Sequence, residues 1–209
     1  MLALFAKSED GAALVEMTIV SSLLFTLVLG FVDFGNAFYQ WNAATKAVQV
    51  GARLAAISEP VAAGLASAAP TSVPGAPVQP GAYAAFVCQV TAGTGACSSG
   101  GFTAAAFSRI FRGDTAVTND NACPVLAANQ RPGMCHFFPR LTRENVVVTY
   151  SASGLGFQTR LGGPVPTITV SLRNVTFQFF FLQGLMNFAN ITMPSMLSTV
   201  TGEDMKNGP

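Results

Sequence analysis

A run of uncharged, mostly apolar residues, Met17 to Val32, constrains this chain more than any other feature. It lies between Glu16 and Asp33 and is slightly shorter than the ~20 residues that a membrane-crossing helix needs. A helix that also includes residues 12–15 and 34–41 reaches that length. Its last turns then carry aromatic residues typical of a membrane interface, namely Phe34, Phe38, Tyr39 and Trp41. The sequence therefore predicts a transmembrane helix near the N-terminus.

The same helix is predicted to continue beyond the membrane as an amphipathic helix. No proline occurs before Pro60, and an apolar stripe with helical spacing follows the uncharged run. The apolar stripe consists of Phe34, Phe38, Trp41, Thr45, Val48, Ala52 and Ala55. A polar stripe with the same kind of spacing consists of Asn42, Lys46, Gln49 and Arg53. A helix over residues 12–57 would be about 70 Å long. Because no A-x-A cleavage signal follows the long apolar run promptly, an ordinary cleaved signal peptide is disfavoured.

The composition excludes a nucleic-acid-binding protein and favours a membrane or exported one. Half of the residues are hydrophobic and only 10% are charged, whereas soluble domains have about 25% charged residues. The net charge is +1, so no strong field attracts a polyanion. The middle of the chain has a mildly basic set of arginines without interleaved aromatic residues, which we interpret as a solvated face: Arg109, Arg112, Arg131, Arg140 and Arg143.

The cysteines indicate an oxidising compartment. There are four, Cys88, Cys97, Cys123 and Cys135, and all lie after the apolar run. An even number in this position suggests disulfides. Of the three possible pairings, the short loops favour Cys88 with Cys97 and Cys123 with Cys135. A zinc site made by the four thiolates is the alternative, but no C-x2-C pair supports it, and no metal or other cofactor is expected.

The rest of the chain predicts a linker followed by an α+β domain. Residues 58–82 are rich in proline and alanine and read as an extended linker. Short β-like runs are expected at 84–90, 145–151, 167–181 and 191–201, with a helix over 103–111 that buries Phe107, Ile110 and Phe111. The predicted fold is one long helix packed on a C-terminal antiparallel sheet, within a domain over residues 83–204, with a tail at 205–209.

An apolar cluster, FQFFFLQGLMNF over residues 177–188, has two interpretations. Packing beneath the long helix is favoured, and a patch that faces a partner or the membrane is the alternative.

Catalysis is not expected. His136 is the single histidine, and its neighbour Cys135 is assigned to a disulfide rather than to a His–Cys nucleophile. No acid–base or metal set can be assembled around one histidine, so neither an enzyme nor a site for a small-molecule substrate is predicted.

The N-terminal segment resembles a known family. In GAALVEM, Gly11 is followed by four residues and then Glu16, which is similar to the processing site of type IV-like prepilins. The following VDFGNAFYQWNAATKAVQVGARLAA resembles the TadE-like family of minor pseudopilins, and FPRLTRENVVVTYSASGLGF, PVPTITVSLRNVTFQFFF and ITMPSMLSTVTGED fit it as well.

The resemblance implies a pilin-like fold and a place in a tight-adherence (Tad, Flp-type) pilus system. It implies a leader-like cytoplasmic segment at residues 1–11, cut between Gly11 and Ala12 by a prepilin peptidase, and a single-pass protein of the bacterial inner membrane. Its C-terminal domain would be periplasmic, and its partners would be other pseudopilins and pilus assembly proteins, with assembly into a cell-surface pilus. The alternative is an unprocessed, single-pass periplasmic module that binds envelope partners.

Glu16 has a physical role in this interpretation. After cleavage, the new amine of Ala12 would lie one helical turn from the Glu16 carboxylate, either in the same subunit or in a neighbour. A charge pair in a low dielectric is favourable only when both partners are present, so it would select the correct register during assembly. The alternative is a glutamate whose carboxylate reaches back to the cytoplasmic headgroups.

Overall fold

A computed structural model describes residues 9–68, 70–159, 163–186 and 191–205. Within these residues the chain forms two compact units. The first contains the residues up to Gln40 together with those from Thr176 to Ile191. The second contains Trp41–Val175 and the residues from Thr192 onward. Most of the leader-like segment, the last residues of the tail and Phe188 of the apolar cluster lie outside the described residues.

Helix α1, Glu9–Ile57, confirms the predicted long N-terminal helix. It ends just before Ser58 and Pro60, because proline lacks the N–H that a continuing helix needs. By length and composition, Gly11–Ile57 could cross a membrane, with a mean hydropathy of 2.1 in its most apolar window. None of the side chains in that window is buried, so the protein itself leaves this surface uncovered.

The part of α1 that belongs to the second unit is amphipathic. Its buried positions include Ala44, Val48, Ala52 and Ala55, while the polar stripe that the sequence predicts, residues 42, 46, 49 and 53, is exposed. A Cβ on Gly51 would lie only 2.5 Å from the sulfur of Met134. Small residues on this face therefore let another segment approach the helix backbone closely.

The second unit contains a five-stranded antiparallel sheet, as predicted. Its strands are β1 (Phe86–Thr91), β2 (Thr94–Cys97), β3 (Val146–Ser151), β4 (Thr167–Leu172) and β5 (Leu197–Thr201), and their order in the sheet is β2-β1-β3-β4-β5. Helices α2 (Ala104–Arg112) and α3 (Met134–Phe137) lie in the connection between β2 and β3. In α2, Phe107, Ile110 and Phe111 are fully buried, which matches the expected inward face.

One face of the sheet is buried because apolar residues alternate along the three central strands. Cys88 pairs with Val148 and Val148 with Val170 in neighbouring strands. All three side chains have no exposed surface. This row, with the residues two positions before and after it in β1, β3 and β4, forms the sheet side of the core.

Two segments differ from the sequence-based prediction. Residues 94–97, which lie outside the predicted β-like runs, form β2, because Ala92 and Gly93 both have positive φ and make the two-residue turn that a tight hairpin requires. The expected strand over residues 167–181 ends at Leu172, and residues 181–186 form a short helix, α4 (Phe181–Met186).

A buried tyrosine links the sheet to the segment after α1. The Tyr150 hydroxyl accepts a hydrogen bond from the Val61 backbone N–H at 2.9 Å, and both residues have no exposed surface. Burial raises the pKa of Tyr150 to about 12, against a smaller lowering by the Val61 N–H. The hydroxyl therefore stays neutral at physiological pH and completes the backbone hydrogen bonding of residue 61.

Tyr150→Phe should lower the free energy of unfolding by about 1–3 kcal/mol, because the buried Val61 N–H loses its acceptor. Thermal unfolding of the full chain in detergent, followed by near-ultraviolet circular dichroism, measures the change. Tyr83→Phe is the matched control: burial also raises the pKa of Tyr83 to about 12, yet its hydroxyl has no hydrogen-bond partner among the described residues. Equal melting temperatures for the two variants would contradict this role of Tyr150.

Candidate functional site: a polar anchor on the apolar helix

Three polar side chains lie on one face of α1, within the otherwise apolar first unit. Asp33, Asn36 and Gln40 follow one another at spacings of three and four residues, which places them on one side of a helix. Asp33 has no exposed surface, and Gln40 is 5% exposed. We call these three residues the helix anchor, and residues 176–186, which they hold, the anchored segment.

The Asp33 carboxylate accepts three backbone hydrogen bonds from the start of α4. Its Oδ1 accepts from the Phe180 N–H at 2.8 Å, and its Oδ2 accepts from Phe181 and Leu182 at 2.9 and 2.7 Å. The first N–H groups of a helix have no acceptor within the helix, and a carboxylate is favoured there by the helix dipole. Asp33 therefore caps α4 from a different part of the chain.

Gln40 and Asn36 hold the backbone just before that cap. The Gln40 amide donates to the Gln178 carbonyl at 2.9 Å and accepts from the Gln178 N–H at 3.0 Å. Asn36 donates to the same carbonyl at 3.1 Å. The paired amide of Gln40 thus replaces the strand partner that residue 178 would otherwise need, and it fixes the register of the anchored segment on the helix.

The Asp33 carboxylate and the backbone of the anchored segment each supply the hydrogen-bond partner that the other needs. A buried carboxylate is costly unless it is hydrogen-bonded, and backbone groups in an apolar environment must also find partners. In the part of the chain that the structure describes, the ion pairs are Arg112–Asp120 and Arg131–Asp114, so it is N–H groups and not a cation that compensate Asp33. The helix anchor therefore binds one specific stretch of backbone, that of residues 178–182.

The sequence pattern did not indicate this site, and the apolar stripe predicted for this stretch of helix is not its inward face. The stripe included Phe34 and Phe38, but they are 64% and 69% exposed. Phe34 makes only an edge contact with Phe179, with ring centroids 6.3 Å apart. Polar residues at positions 33, 36 and 40 in an apolar helix were the available signal, because such residues in membrane helices usually face a partner.

The predicted processing and assembly residues lie in the first turns of α1. Gly11, Ala12 and Glu16 are all exposed, and nothing lies within 4 Å of the position of a Cβ on Gly11. Glu16 is about 25 Å from Asp33 along the helix axis. The structure therefore does not bring the predicted assembly residue and the helix anchor together.

The four cysteines form two disulfides in the second unit. Cys88 and Cys97 join β1 to β2 as directly opposite residues, and Cys123 and Cys135 join the irregular segment after α2 to α3. Both are the pairs that the short loops favour. Cross-links of this kind limit the freedom of the unfolded chain and stabilise regions with few regular hydrogen bonds.

His136 is held within the second of these cross-linked regions. Its Nδ1 accepts from the Gly133 N–H at 3.2 Å, which leaves the ring proton on Nε2 to be donated to the Pro124 carbonyl at 2.9 Å. Ligand atoms of Cys123, Cys135 and His136 lie within 4.8 Å of one another. However, the two sulfur atoms are bonded to each other and both ring nitrogens are engaged, so this cluster fits a structural role rather than a metal site.

Replacing Asp33 should release the anchored segment. In Asp33→Asn the new NH2 group faces backbone N–H donors, and loss of hydrogen bonds to a charged group costs about 1.5–3 kcal/mol. Amide hydrogen exchange of residues 180–182, measured by mass spectrometry on the full chain in detergent, should accelerate about 10- to 100-fold. Gln49→Ala, on the exposed polar stripe of the same helix, should leave these rates unchanged. Unchanged rates in Asp33→Asn would show that the carboxylate does not hold the segment.

The residues of the helix anchor lie in the part of the chain that is similar to a known protein family. The model of the TadE-like protein family matches residues 11–53, which contain Glu16 and the entire helix anchor. No curated protein and no solved structure gives a significant match to the chain. Over residues 11–53 the chain matches the TadE-like family, as its N-terminal sequence indicated.

Proposed function

We propose that the protein is a minor pseudopilin of a Tad/Flp-type pilus and acts in pilus assembly without catalysing a reaction. The observation that carries this proposal is the family match, which begins at Gly11 and so coincides with the Gly-x4-Glu pattern. A prepilin peptidase would cut between Gly11 and Ala12. Residues from Ala12 to about Trp41 would remain in the inner membrane, and the second unit would be periplasmic.

The uncovered surface of α1 supports a role in a membrane and in an assembly. Leu14, Met17, Leu23 and Phe31 are each between 66% and 70% exposed. An apolar surface of this length requires lipid or neighbouring helices to cover it. In a pseudopilin, the same surface would contact lipid before assembly and other pilin-type helices after it.

The disulfides support the proposed orientation. Both join residues of the second unit, and disulfides persist in the periplasm but rarely in the cytoplasm. The second unit is therefore assigned to the periplasmic side, with the N-terminus of α1 in the cytoplasm. Its proposed partners are other pseudopilins and assembly proteins of the same pilus system.

Processing should depend on Gly11 and not on helical glycines in general. When the protein is expressed with its cognate peptidase, N-terminal sequencing should give Ala12 as the first residue, and Gly11→Val should retain residues 1–11. Gly30→Ala is the matched control, because a Cβ at either glycine meets nothing within 4 Å. An intact Met1 in the wild-type protein would instead support the alternative, an unprocessed single-pass module that binds envelope partners.

Glu16 should be needed for assembly but not for processing. Glu16→Ala should still begin at Ala12, but should be incorporated into sheared pili or assembly complexes at least about 10-fold less, as expected when a charge loses its partner in a low dielectric. Immunoblots of the sheared and membrane fractions measure this. Glu59→Ala removes another exposed glutamate beyond the end of α1 and serves as the control. Normal incorporation of Glu16→Ala would remove Glu16 from the assembly mechanism.

A further inference from the structure

We propose that the anchored segment is a second membrane-contacting element, which lies in the interfacial layer of the bilayer beside α1. The proposed occupant of its exposed aromatic surface is lipid. This inference rests on the proposed function only in requiring that α1 is inserted in a membrane.

The position of Asp33 along α1 sets the depth of the anchored segment. Asp33 lies 17 positions after Glu16, about 25 Å along the helix axis, and the hydrocarbon layer is about 30 Å thick. With Glu16 at the cytoplasmic boundary, Asp33 comes within about 5 Å of the opposite boundary of the hydrocarbon layer. The backbone of residues 180–182, which is hydrogen-bonded to the Asp33 carboxylate, must then lie at the same level.

The exposed side chains at this level are aromatic on both elements. Phe180 is 65% exposed and Phe181 39% exposed on the anchored segment, and Phe34 and Tyr39 are 64% and 68% exposed on the helix. Aromatic residues are enriched where a membrane meets water. The anchored segment and α1 therefore both present exposed aromatic side chains of the kind that fits a membrane interface.

The anchored segment also meets the polar requirements of a lipid environment. Residues 174–202 contain no Asp, Glu, Lys or Arg, so no side chain of this stretch carries a charge into the membrane. The N–H and C=O groups of Gln178 and the N–H groups of residues 180–182 are hydrogen-bonded to the helix anchor, and the Phe177 N–H donates to the Ile191 carbonyl at 2.8 Å. Non-helical backbone is tolerated at membrane depth only when it is satisfied in this way.

A position at the edge of the hydrocarbon layer explains why the anchored segment needs the hydrogen bonds of the helix anchor. In water, the N–H groups of residues 178 and 180–182 could bond to solvent instead of to the helix anchor. At the edge of the hydrocarbon layer solvent is scarce, so the carboxylate and the amides of the anchor take its place.

Single-tryptophan fluorescence with brominated lipids tests the proposal on the full chain. The chain has one tryptophan, Trp41, so Trp41→Phe provides the background. In it, Phe180→Trp places a reporter on an exposed position of the anchored segment, where the larger ring needs no repacking. The protein is reconstituted in phosphatidylcholine–phosphatidylglycerol vesicles whose acyl chains are unbrominated, brominated near the headgroup, or brominated near their methyl ends.

Two matched reporters define the outcomes. Leu24→Trp, at a residue 59% exposed on α1, reports insertion of the helix, and Leu155→Trp, 70% exposed in the second unit, reports a surface in water. We expect bromine near the headgroup to quench Phe180→Trp and bromine near the chain ends to quench Leu24→Trp, each at least about twofold, and neither lipid to quench Leu155→Trp.

Other results would overturn the proposal in distinguishable ways. Quenching of Leu24→Trp but not of Phe180→Trp would show that the helix is inserted while the anchored segment lies outside the membrane. A Phe180→Trp emission that responds to protein density rather than to bromine would show that a second copy covers the segment. If neither reporter were quenched, α1 would not be inserted, and the membrane role in the proposed function would fail as well.

Discussion

The hydrogen bonds between the Asp33 carboxylate and the backbone of residues 180–182 are the interaction on which the first unit depends. They join segments almost 150 residues apart in the chain, and among the described residues no cation pairs with the buried carboxylate. The contact is favourable because the carboxylate and the N–H groups would each be costly to bury without a partner. The helix anchor also fixes the register of the short helix α4 on α1, since the Gln40 amide holds Gln178 about two turns further along α1.

Helix α1 changes its physical surroundings along its length. In its first part the outward side chains are apolar and the inward ones, at Asp33 and Gln40, are polar. In the second unit the order is the usual one for a protein in water, with Ala44 and Val48 buried and Lys46 exposed. One continuous helix therefore has an apolar outer surface in its first part and an ordinary amphipathic surface in the second unit.

Much of the second unit could be predicted because its signals are local. Short β-like runs indicated β3 and β4, and the short loops favoured the two disulfides that form. The prediction failed where contacts between distant segments determine the structure. The expected strand continued to residue 181, yet from residue 178 onward the backbone bonds to a carboxylate and two amides of α1 instead of to a neighbouring strand. Strand β2 was not predicted because its hairpin turn requires a positive φ at Ala92, and alanine rarely adopts a positive φ.

The sequence by itself determined that this chain has one long apolar helix, an α+β fold and a TadE-like N-terminal segment, because hydropathy, periodicity and the spacing of Gly11 and Glu16 are properties of neighbouring residues. Only the tertiary structure decided which face of that helix is used and for what. Predicting the inward face of a helix from periodicity assumes that apolar side chains point inward, whereas the inward side chain at Asp33 is charged. The identity of the partner, the backbone at the start of α4, could come only from the folding of the chain back onto its first helix.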